Sequence, residues 1–231
     1  MKVAVMQPYF FPYIGYFQLI SSVDLFVLYD NIKYAKKGWI NRNRMLQNGK
    51  DMIFSLPLKR DSDSLDVRGR ELATDFDCTK FLSQIRGAYL RAPYFKETFQ
   101  LIETVMQYPE HNLFRFLFNS ITKVCEHLGI STQIKISSDI SIDHALKNQD
   151  KVLALCGAVK ASTYINAIGG IELYKKSAFQ KRSLELKFIK SKPLDYVQFD
   201  NQFVPWLSII DVMMFNPKSR IVQILQEYEL V

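Results

Sequence analysis

A carboxylate and a basic repeat near the start of the chain could together recognise a phosphorylated substrate. Asp30 ends an apolar segment, where a carboxylate can accept a proton from an amine or bind a sugar hydroxyl. Asn41-Arg42-Asn43-Arg44 alternates amides with guanidinium groups, so an extended backbone would place the asparagines on one face and the arginines on the other. Because guanidinium forks suit phosphates, we expect Arg42 and Arg44 to hold phosphates, with Asn41 and Asn43 binding substrate beside them.

The charge of residues 31–70 also indicates an anionic partner. This segment contains ten Lys or Arg residues and four Asp residues, a net charge of +6, whereas the whole 231-residue chain carries +7. The excess therefore lies directly after Asp30. A phosphate, a nucleotide or a nucleic acid would fit it, and a solvated basic loop is the alternative.

The aromatic stretch at residues 7–13, bounded by two prolines that fix φ, is expected to form a stiff binding loop. Gln7 can hold a polar group of the substrate. The rings of Tyr9, Phe10 and Phe11 can stack on a base or sugar, or pack in the core instead. The substrate-binding residues predicted here are Pro8, Tyr9, Tyr13, Gly15 and Tyr16.

Two later segments supply the remaining candidates. A glycine pair, Gly169-Gly170, stands between a short strand and a helix start, a turn that can contact an anion although it lacks a P-loop lysine. We predict substrate contacts from this pair and from Glu172, and we expect the pair to converge with the loop at 6–16 and with residues 41–44. The predicted catalytic residues are Asp30, Gln7 and Asp211. For Asp211 there is a simpler interpretation, in which Ser208 caps a helix and Asp211 lies in the first turn of that helix.

The histidines and cysteines do not indicate chemistry of their own. His111, His127 and His144 lie in segments far from the loop and are expected at the surface or at helix caps. No spacing of His, Cys or acidic residues predicts a metal site. The three cysteines, odd in number and scattered, are typical of small buried residues in a reduced cytoplasm: Cys78, Cys125 and Cys156.

A βαβ unit is expected to position the first candidates. Lys2–Met6 is typical of a strand, residues 15–20 of a helix and Leu25–Tyr29 of a second strand, within the roughly 30 residues of one such unit. The strands should be parallel neighbours or near neighbours. The loop at 6–16 would then open at the carboxyl edge of the sheet, where α/β folds bind ligands. An ordinary buried βαβ entry with aromatic packing is the alternative.

Helices and strands follow in separate groups. Gln47-Asn48-Gly49-Lys50 predicts a hairpin turn with a returning strand at 51–58, and residues 59–71 predict a surface loop. Three helices are expected within residues 74–129. The first is capped by Thr74 or Asp75, with Phe81, Ile85 and Leu90 as its core stripe, and the third is closed by Gly129.

Strand patterns return at 132–136, 163–165 and 184–189, with helices at about 149–157 and 208–214. We predict one α/β domain over residues 1–231, with a Rossmann-like, mainly parallel sheet and an inserted helical region at 74–129. No apolar run approaches the ~20 residues of a membrane span. Gln7 and the prolines interrupt the apolar N-terminus, so no signal peptide and no membrane insertion are expected, and the location is cytoplasmic. The oligomeric state is not indicated.

Two groups of residues share a pattern with a known family. The first is Met-Gln-Pro-Tyr-Phe-Phe-Pro-Tyr-Ile-Gly-Tyr-Phe at 6–17, with Asp24, Asp30 and Asn41-Arg42-Asn43-Arg44. The second is Tyr164, Gly169-Gly170, Tyr174, Phe179, Phe203-Val204-Pro205 and Leu207-Ser208-Ile209-Ile210-Asp211. The chain thereby resembles the WbqC-like protein family along almost its whole length. The resemblance implies a bacterial cytoplasmic protein of O-antigen or other surface-polysaccharide gene clusters that modifies a nucleotide-linked sugar. Many members begin His-Gln-Pro, whereas this chain has Met6, so it lacks that histidine as an acid or base.

A second resemblance concerns the fold alone. The strand, the proline loop and Tyr13-Ile14-Gly15-Tyr16 at a helix start look like nucleotidyltransferases with a (T/H)xGH motif. In those enzymes the motif histidines contact ATP phosphates, but both positions are tyrosine here, and a tyrosine carries no positive charge. The resemblance is therefore used for the fold alone.

Three functions remain open. The first is a transferase that moves an acyl or aminoacyl group from acyl-CoA or aminoacyl-tRNA to the amine of a nucleotide-linked sugar, without a cofactor, by positioning, one base and oxyanion donors. The second is a non-catalytic nucleotide- or RNA-binding module, which would bind with strong salt dependence and no turnover. The third is nucleotidyl transfer with Mg²⁺-dependent release of pyrophosphate. The expected partners are a nucleotide-linked sugar and, for an aminoacyl donor, tRNA.

Overall fold

A computed structural model describes residues 1–199 and 202–231. Its strands are β1 (Lys2–Met6), β2 (Leu25–Leu28), β3 (Arg42–Gln47), β4 (Lys50–Ser55), β5 (Gln133–Ile136), β6 (Thr163–Ala167), β7 (Glu185–Ser191) and β8 (Tyr228–Leu230). Its α-helices are α1 (Ile14–Ser21), α2 (Cys78–Tyr89), α3 (Phe95–Met106), α4 (Leu113–Leu128), α5 (Asn148–Ala158), α6 (Lys176–Gln180), α7 (Ile209–Phe215) and α8 (Lys218–Ile224).

Six strands form the central sheet in the order β5-β2-β1-β6-β7-β8. The first five are parallel and β8 is antiparallel to β7. Val3 pairs with Leu25 and Met6 with Leu28, so the prediction of parallel neighbours is confirmed. The predicted α/β class with a mainly parallel sheet is confirmed as well. β3 and β4 form a separate antiparallel hairpin.

Both faces of the sheet are covered at its centre, which explains why β1 and β2 are nearly continuous apolar runs. Ala4 and Phe26 point into one core cluster together with residues of α1 and α4, whereas Val5 and Val27 point into another with residues of α5. Successive side chains of a strand alternate between faces, so β1 and β2 each contribute to both clusters. The chain after β1 leads to α1 and the chain after β6 leads to α6, on opposite faces. The gap between β1 and β6 is therefore the place where such sheets bind ligands.

Three helices occupy the region predicted to be helical, although the start of the first was predicted wrongly. α2 begins at Cys78, and Asp77, not Thr74 or Asp75, caps it by accepting from the backbone N–H groups of Thr79 and Lys80. Leu90 is 58% exposed and does not belong to the core stripe. Its place is taken by the adjacent and fully buried Tyr89.

Turn residues behave as the sequence indicates at two positions. Asn48 and Gly49 have φ of 51° and 74°, which confirms the hairpin turn, although β4 ends at Ser55 rather than continuing to Leu58. Gly129 ends α4 with φ of 74°, in the left-handed conformation that favours glycine.

The glycine pair does not open an α-helix as predicted. Gly169 and Gly170 lie inside a short 3₁₀ segment, Ile168–Leu173, that follows β6. A Cβ at Gly170 would lie 2.7 Å from Asn166 Nδ2, so a larger residue there would displace the side-chain amide of the buried Asn166. β8 and α8 were not predicted at all.

Gln18 of α1 joins the two ends of the chain. It is 1% exposed, and its Nε2 donates to the carbonyl oxygens of Ile224, at 2.7 Å, and Glu227, at 3.1 Å. Its Oε1 accepts a hydrogen bond from Ser191 Oγ at 2.6 Å. Among the helices of the described residues, none has the length and apolar character required to cross a membrane.

Candidate functional site

The loop after β1 is partly core and partly surface. Phe10 and Phe11 are fully buried, so the core-packing alternative is correct for these two rings. The Tyr16 hydroxyl donates to Gln7 O at 2.9 Å and closes the loop on itself. Tyr9 and Tyr13 are half-buried. The side chains that remain available to a ligand thus come from the polar and tyrosine positions of the loop.

Within β3, Asn43 lies on one face and Arg42 and Arg44 lie on the other, as the predicted alternation requires for these three residues. Asn43 is buried and donates to the carbonyl oxygens of Phe10, at 3.1 Å, and Phe11, at 2.8 Å. On the opposite face, the guanidinium carbons of Arg42 and Arg44 lie 5.7 and 5.8 Å from the Trp39 ring centre. Asn43 therefore fixes the loop after β1 from within the protein.

Both arginines already donate to protein groups. Arg42 donates to Gly38 O at 2.9 Å and to Lys37 O. Arg44 donates to Trp206 O at 3.0 Å and to Asp51 at 3.2 Å. Phosphate binding by these two residues stays a prediction, and it would require exchange of those hydrogen bonds.

The three segments expected to converge are only partly tied together by direct contacts. The loop and the β3 strand meet through Asn43, as above. Asn41 accepts from the Tyr34 hydroxyl at 2.8 Å and donates to Leu56 O at 2.7 Å, away from the loop. Gly169-Gly170 follows β6, the neighbour of β1, and so lies at the same sheet edge. A common pocket for all three stays a prediction, as do the substrate contacts of Glu172.

Asp30 lies at the carboxyl edge, directly beyond β2, and is 3% exposed. Its Oδ1 accepts from Ser137 Oγ at 2.6 Å and from Ser138 N at 3.0 Å, and its Oδ2 accepts from Ser138 Oγ at 2.7 Å. Ser137 and Ser138 begin the turn after β5, the strand beside β2. The carboxylate thus ties together two adjacent strand ends. Its predicted catalytic role is not tested by this arrangement.

A buried lysine, which the sequence analysis missed, extends this polar group. Lys151, in the first turn of α5, is 4% exposed and donates to Asn31 O at 3.1 Å. Its Nζ lies 5.0 Å from the Tyr29 ring centre. Burial lowers the pKa of Lys151, while Asp66 and Asp30 act in the opposite direction.

One sequence feature could have drawn attention to Lys151, and one prediction about this region needs correction. Lys151 stands four residues before the buried Leu155 and hence on the core face of its helix. His144 was predicted to lie far from the candidate segments, and this is wrong. Its Nδ1 is 2.9 Å from Asn31 Nδ2, within hydrogen-bonding distance, because the chain between β5 and α5 passes over the end of β2.

Asp211 is fully buried, and Ser208 caps α7 by accepting from Ile210 N, so the simpler interpretation of this pair is confirmed. The Asp211 carboxylate accepts from the hydroxyls of Tyr89, at 2.9 Å, and Tyr196, at 2.7 Å, and from Gln198 Nε2 at 2.7 Å. A catalytic role for Asp211 stays a prediction.

We expect Asp211 to make the free energy of unfolding fall with rising pH. Burial raises the pKa of this carboxyl from 3.8 to about 6, against the opposing effect of its three hydrogen bonds. The native state therefore binds the proton more tightly than the unfolded state. As the pH rises from about 4 to about 6, the free energy of unfolding therefore falls by on the order of 3 kcal/mol.

Urea unfolding at several pH values, compared with Asp211→Asn, measures that contribution. Asparagine does not titrate, so the difference between the two stability curves should change across this pH interval. Parallel curves would contradict the raised pKa.

A largely apolar cavity of about 560 Å³ lies at the carboxyl end of β7, beside the N-terminus of α1. Its wall includes Tyr13, Gln18, Ser191, Leu194, Tyr196 and Trp206. The Tyr13 ring packs edge-on against Trp206, with centroids 5.8 Å apart, and covers Gly15. A cavity of this size and character can hold a small apolar group.

Gly15→Ala is expected to lower the free energy of unfolding by about 1–3 kcal/mol, because overpacking displaces Tyr13. A Cβ at this position would lie 2.3 Å from the Tyr13 ring carbon Cζ and from its hydroxyl oxygen. The matched control is Gly87→Ala in α2, where nothing lies within 4 Å of the added methyl. That substitution should stabilise the protein by up to about 1 kcal/mol through helix propensity. Equal effects of both substitutions in urea unfolding would contradict the role of Tyr13.

The cysteine thiols are poorly suited to nucleophilic chemistry. Burial raises the pKa of Cys125 and of Cys156 to about 12, so neither thiol ionises near neutral pH. Cys78 is half-buried. Within residues 1–199 and 202–231, no group of three or more His, Cys, Asp or Glu side chains is arranged to hold a metal ion.

Comparisons with known proteins give a family and one relative of unassigned function. A model described as the WbqC-like protein family matches residues 7–223. The chain is 27% identical over 225 residues to "Uncharacterized protein Rv1507c" of Mycobacterium tuberculosis, covering 93% of each chain. No solved structure matches the chain.

Proposed function

The chain belongs to the WbqC-like protein family, and from that membership and the polar groups at the carboxyl edge of its sheet we propose that it is a transferase of O-antigen or other surface-polysaccharide synthesis. It transfers an acyl or aminoacyl group to the amino group of a nucleotide-linked sugar. The donor is acyl-CoA or aminoacyl-tRNA. The resemblance of the two residue groups supports the polysaccharide context, and the surroundings of Lys151 support the chemistry.

One observation carries the chemical part of the proposal: an amine is held with little exposure at the edge where parallel sheets bind ligands. Lys151 has one hydrogen-bond acceptor in the described residues, Asn31 O, and rests against the Tyr29 ring. The lowered pKa increases the fraction of neutral amine at a given pH. A neutral amine is a general base.

In the proposed reaction, Lys151 accepts a proton from the ammonium group of the sugar. The freed amine attacks the carbonyl carbon of the donor and forms an amide. The bond from that carbon to the sulfur of CoA, or to the ribose oxygen of tRNA, breaks, and the leaving sulfur or oxygen takes the second proton that the amine loses. Asp30 acts as a positioning residue, because Ser137 and Ser138 occupy both of its carboxylate oxygens.

The sheet order suggests where the two substrates lie. Gln7 and the Gly169-Gly170 turn stand at the switch point between β1 and β6 and are proposed to contact the sugar. The polar group beyond β2 and the apolar cavity beyond β7 are three strand spacings apart, or roughly 14 Å. One bound sugar and one acyl chain would fit that separation.

The direct test supplies purified protein with a panel of nucleotide-linked amino sugars and either acyl-CoA or charged tRNA. We expect a product heavier by the acyl or aminoacyl group, with one free CoA or uncharged tRNA released per amide formed. Mass spectrometry and thiol titration measure the two products. Failure to modify any sugar in the panel would contradict the proposal.

A nucleotide- or RNA-binding module without turnover is the second candidate. The net charge of +6 on residues 31–70 favours it. Binding of single-stranded RNA that weakens steeply with salt, with no product in the assay above, would support this candidate over the transferase.

A further inference from the structure

A basic pocket away from the carboxyl edge of the sheet contains a buried arginine whose side chain has no hydrogen-bond partner in the described residues. The pocket has a volume of about 460 Å³ and is lined by Tyr34, Lys36, Asn41, Leu58, Lys59, Arg60, Asp61, Asp63 and Arg70. It lies in the segment that follows β2, where Val67 N donates to Ile32 O and Tyr34 N donates to Leu65 O. Of the substrate-binding residues predicted from the sequence, only Asn41 lines it.

Arg70 is 4% exposed, yet its guanidinium group makes no hydrogen bond within the described residues. Its Nε is buried without a partner. Its Nη2 lies 3.9 Å from Asp63 Oδ1, which is too far for a hydrogen bond. The guanidinium carbon lies 4.7 Å from the Tyr34 ring centre, which holds the group in place by stacking.

A nearly buried guanidinium group with an unpaired Nε–H is costly, so this arrangement indicates a group that the pocket receives from outside. The lining carries four positive and two negative side chains, a net charge of +2. A phosphate dianion matches that charge better than a single carboxylate does. The guanidinium fork can bind two phosphate oxygens at once, and the lysines add point charges beside it.

Asp63 occupies the position of a competing anion. Its carboxylate is 64% exposed, lies 2.8 Å from Lys36 Nζ and faces Arg70. An exposed ion pair of this kind contributes little to stability and is easily exchanged. An entering phosphate would take both cations from it.

We propose that the pocket around Arg70 binds the phosphate group of a small phosphorylated ligand. Arg70 donates hydrogen bonds to two phosphate oxygens and Lys36 neutralises the remaining charge. The Asp63 carboxylate moves away from both cations into solvent. The site stands apart from the amine chemistry proposed for Lys151 and does not depend on it. Binding without turnover would still support the site.

Calorimetry with pyrophosphate and the full chain tests the proposal. We expect saturable binding of one pyrophosphate that Arg70→Lys weakens by on the order of tenfold to a hundredfold, because lysine lacks the fork. Asp63→Asn should tighten binding several-fold, since it removes the competing carboxylate. This residue is exposed, so the variant remains informative even if Arg70→Lys does not fold.

Asp75→Asn is the matched control for the charge change in Asp63→Asn, because Asp75 is exposed and lies outside the pocket lining. It should change the affinity less than twofold. Unchanged affinity in both Arg70→Lys and Asp63→Asn, or equal binding of succinate and pyrophosphate, would overturn the proposal. A nucleoside diphosphate that binds more tightly than pyrophosphate, with the same dependence on Arg70, would identify the source of the phosphate as a nucleotide.

Discussion

Lys151→Met is expected to reduce amide formation by on the order of a hundredfold or more while the protein stays folded. Removing a general base costs a factor of about 10² to 10⁴ in rate. Methionine has nearly the volume and apolar stem of lysine. It also removes a buried ammonium group that has one hydrogen-bond acceptor in the described residues, so the free energy of unfolding should stay the same or rise. Initial rates under saturating sugar and donor, together with urea unfolding, measure both effects.

The matched control is Lys147→Met, which removes the same charge from an exposed position one turn earlier in the chain. It should leave the rate within twofold of the unchanged protein. If Lys151→Met retains full activity, Lys151 is not the base. If both variants lose activity equally, local charge and not proton transfer explains the loss.

Asp30→Ala is expected to lower the free energy of unfolding by on the order of 4 kcal/mol. The carboxylate accepts three hydrogen bonds from Ser137 and Ser138. Alanine would leave the two part-buried donors of Ser138 without this acceptor, at about 1–3 kcal/mol for each group, whereas the Ser137 hydroxyl would retain Asn31 Oδ1. Asp30→Asn keeps the shape and one acceptor oxygen, so we expect roughly half of the loss. Denaturant unfolding of both variants gives the comparison.

Asp139→Ala is the control, because Asp139 is exposed in the same turn and should change the stability by less than about 0.5 kcal/mol. The kinetics of Asp30→Asn separate a positioning role from a structural one. We expect kcat to fall while KM for the sugar changes little. A stability loss for Asp30→Ala no larger than that of Asp139→Ala would contradict the conclusion that the Asp30 carboxylate links the ends of β2 and β5.

Local patterns in the sequence were sufficient for the elements that depend on local chemistry. The β1-α1-β2 unit follows from apolar runs of the right length, and the Asn48-Gly49 turn and the Gly129 cap follow from residues that tolerate positive φ. α2 was misplaced at its start because Thr74, Asp75 and Asp77 are equally plausible caps. The structure shows that Asp77 is the cap. β8 has three residues, too few for any periodicity.

The candidate site was harder to predict because its contacts join distant parts of the chain. Lys151 meets Asn31 across 120 positions, and Ser137 meets Asp30 across 107. The sequence reveals only the residue type, so it does not show whether a lysine is buried or whether an arginine lacks a hydrogen-bond partner. Arg42, Arg44 and Arg70 were therefore equivalent in the sequence, and only burial and hydrogen bonding distinguish them.

The contacts of Gln18 have a consequence for how the protein is made. Its side-chain amide donates a hydrogen bond to Ile224 O, which lies 206 positions later in the chain. At a synthesis rate of about 5–20 residues per second, that partner follows α1 by roughly 10–40 s. During this interval the Gln18 amide lacks both carbonyl acceptors that hold it in the folded protein. We therefore expect a protein truncated before α8 to be less stable, because a buried amide without its acceptors is costly.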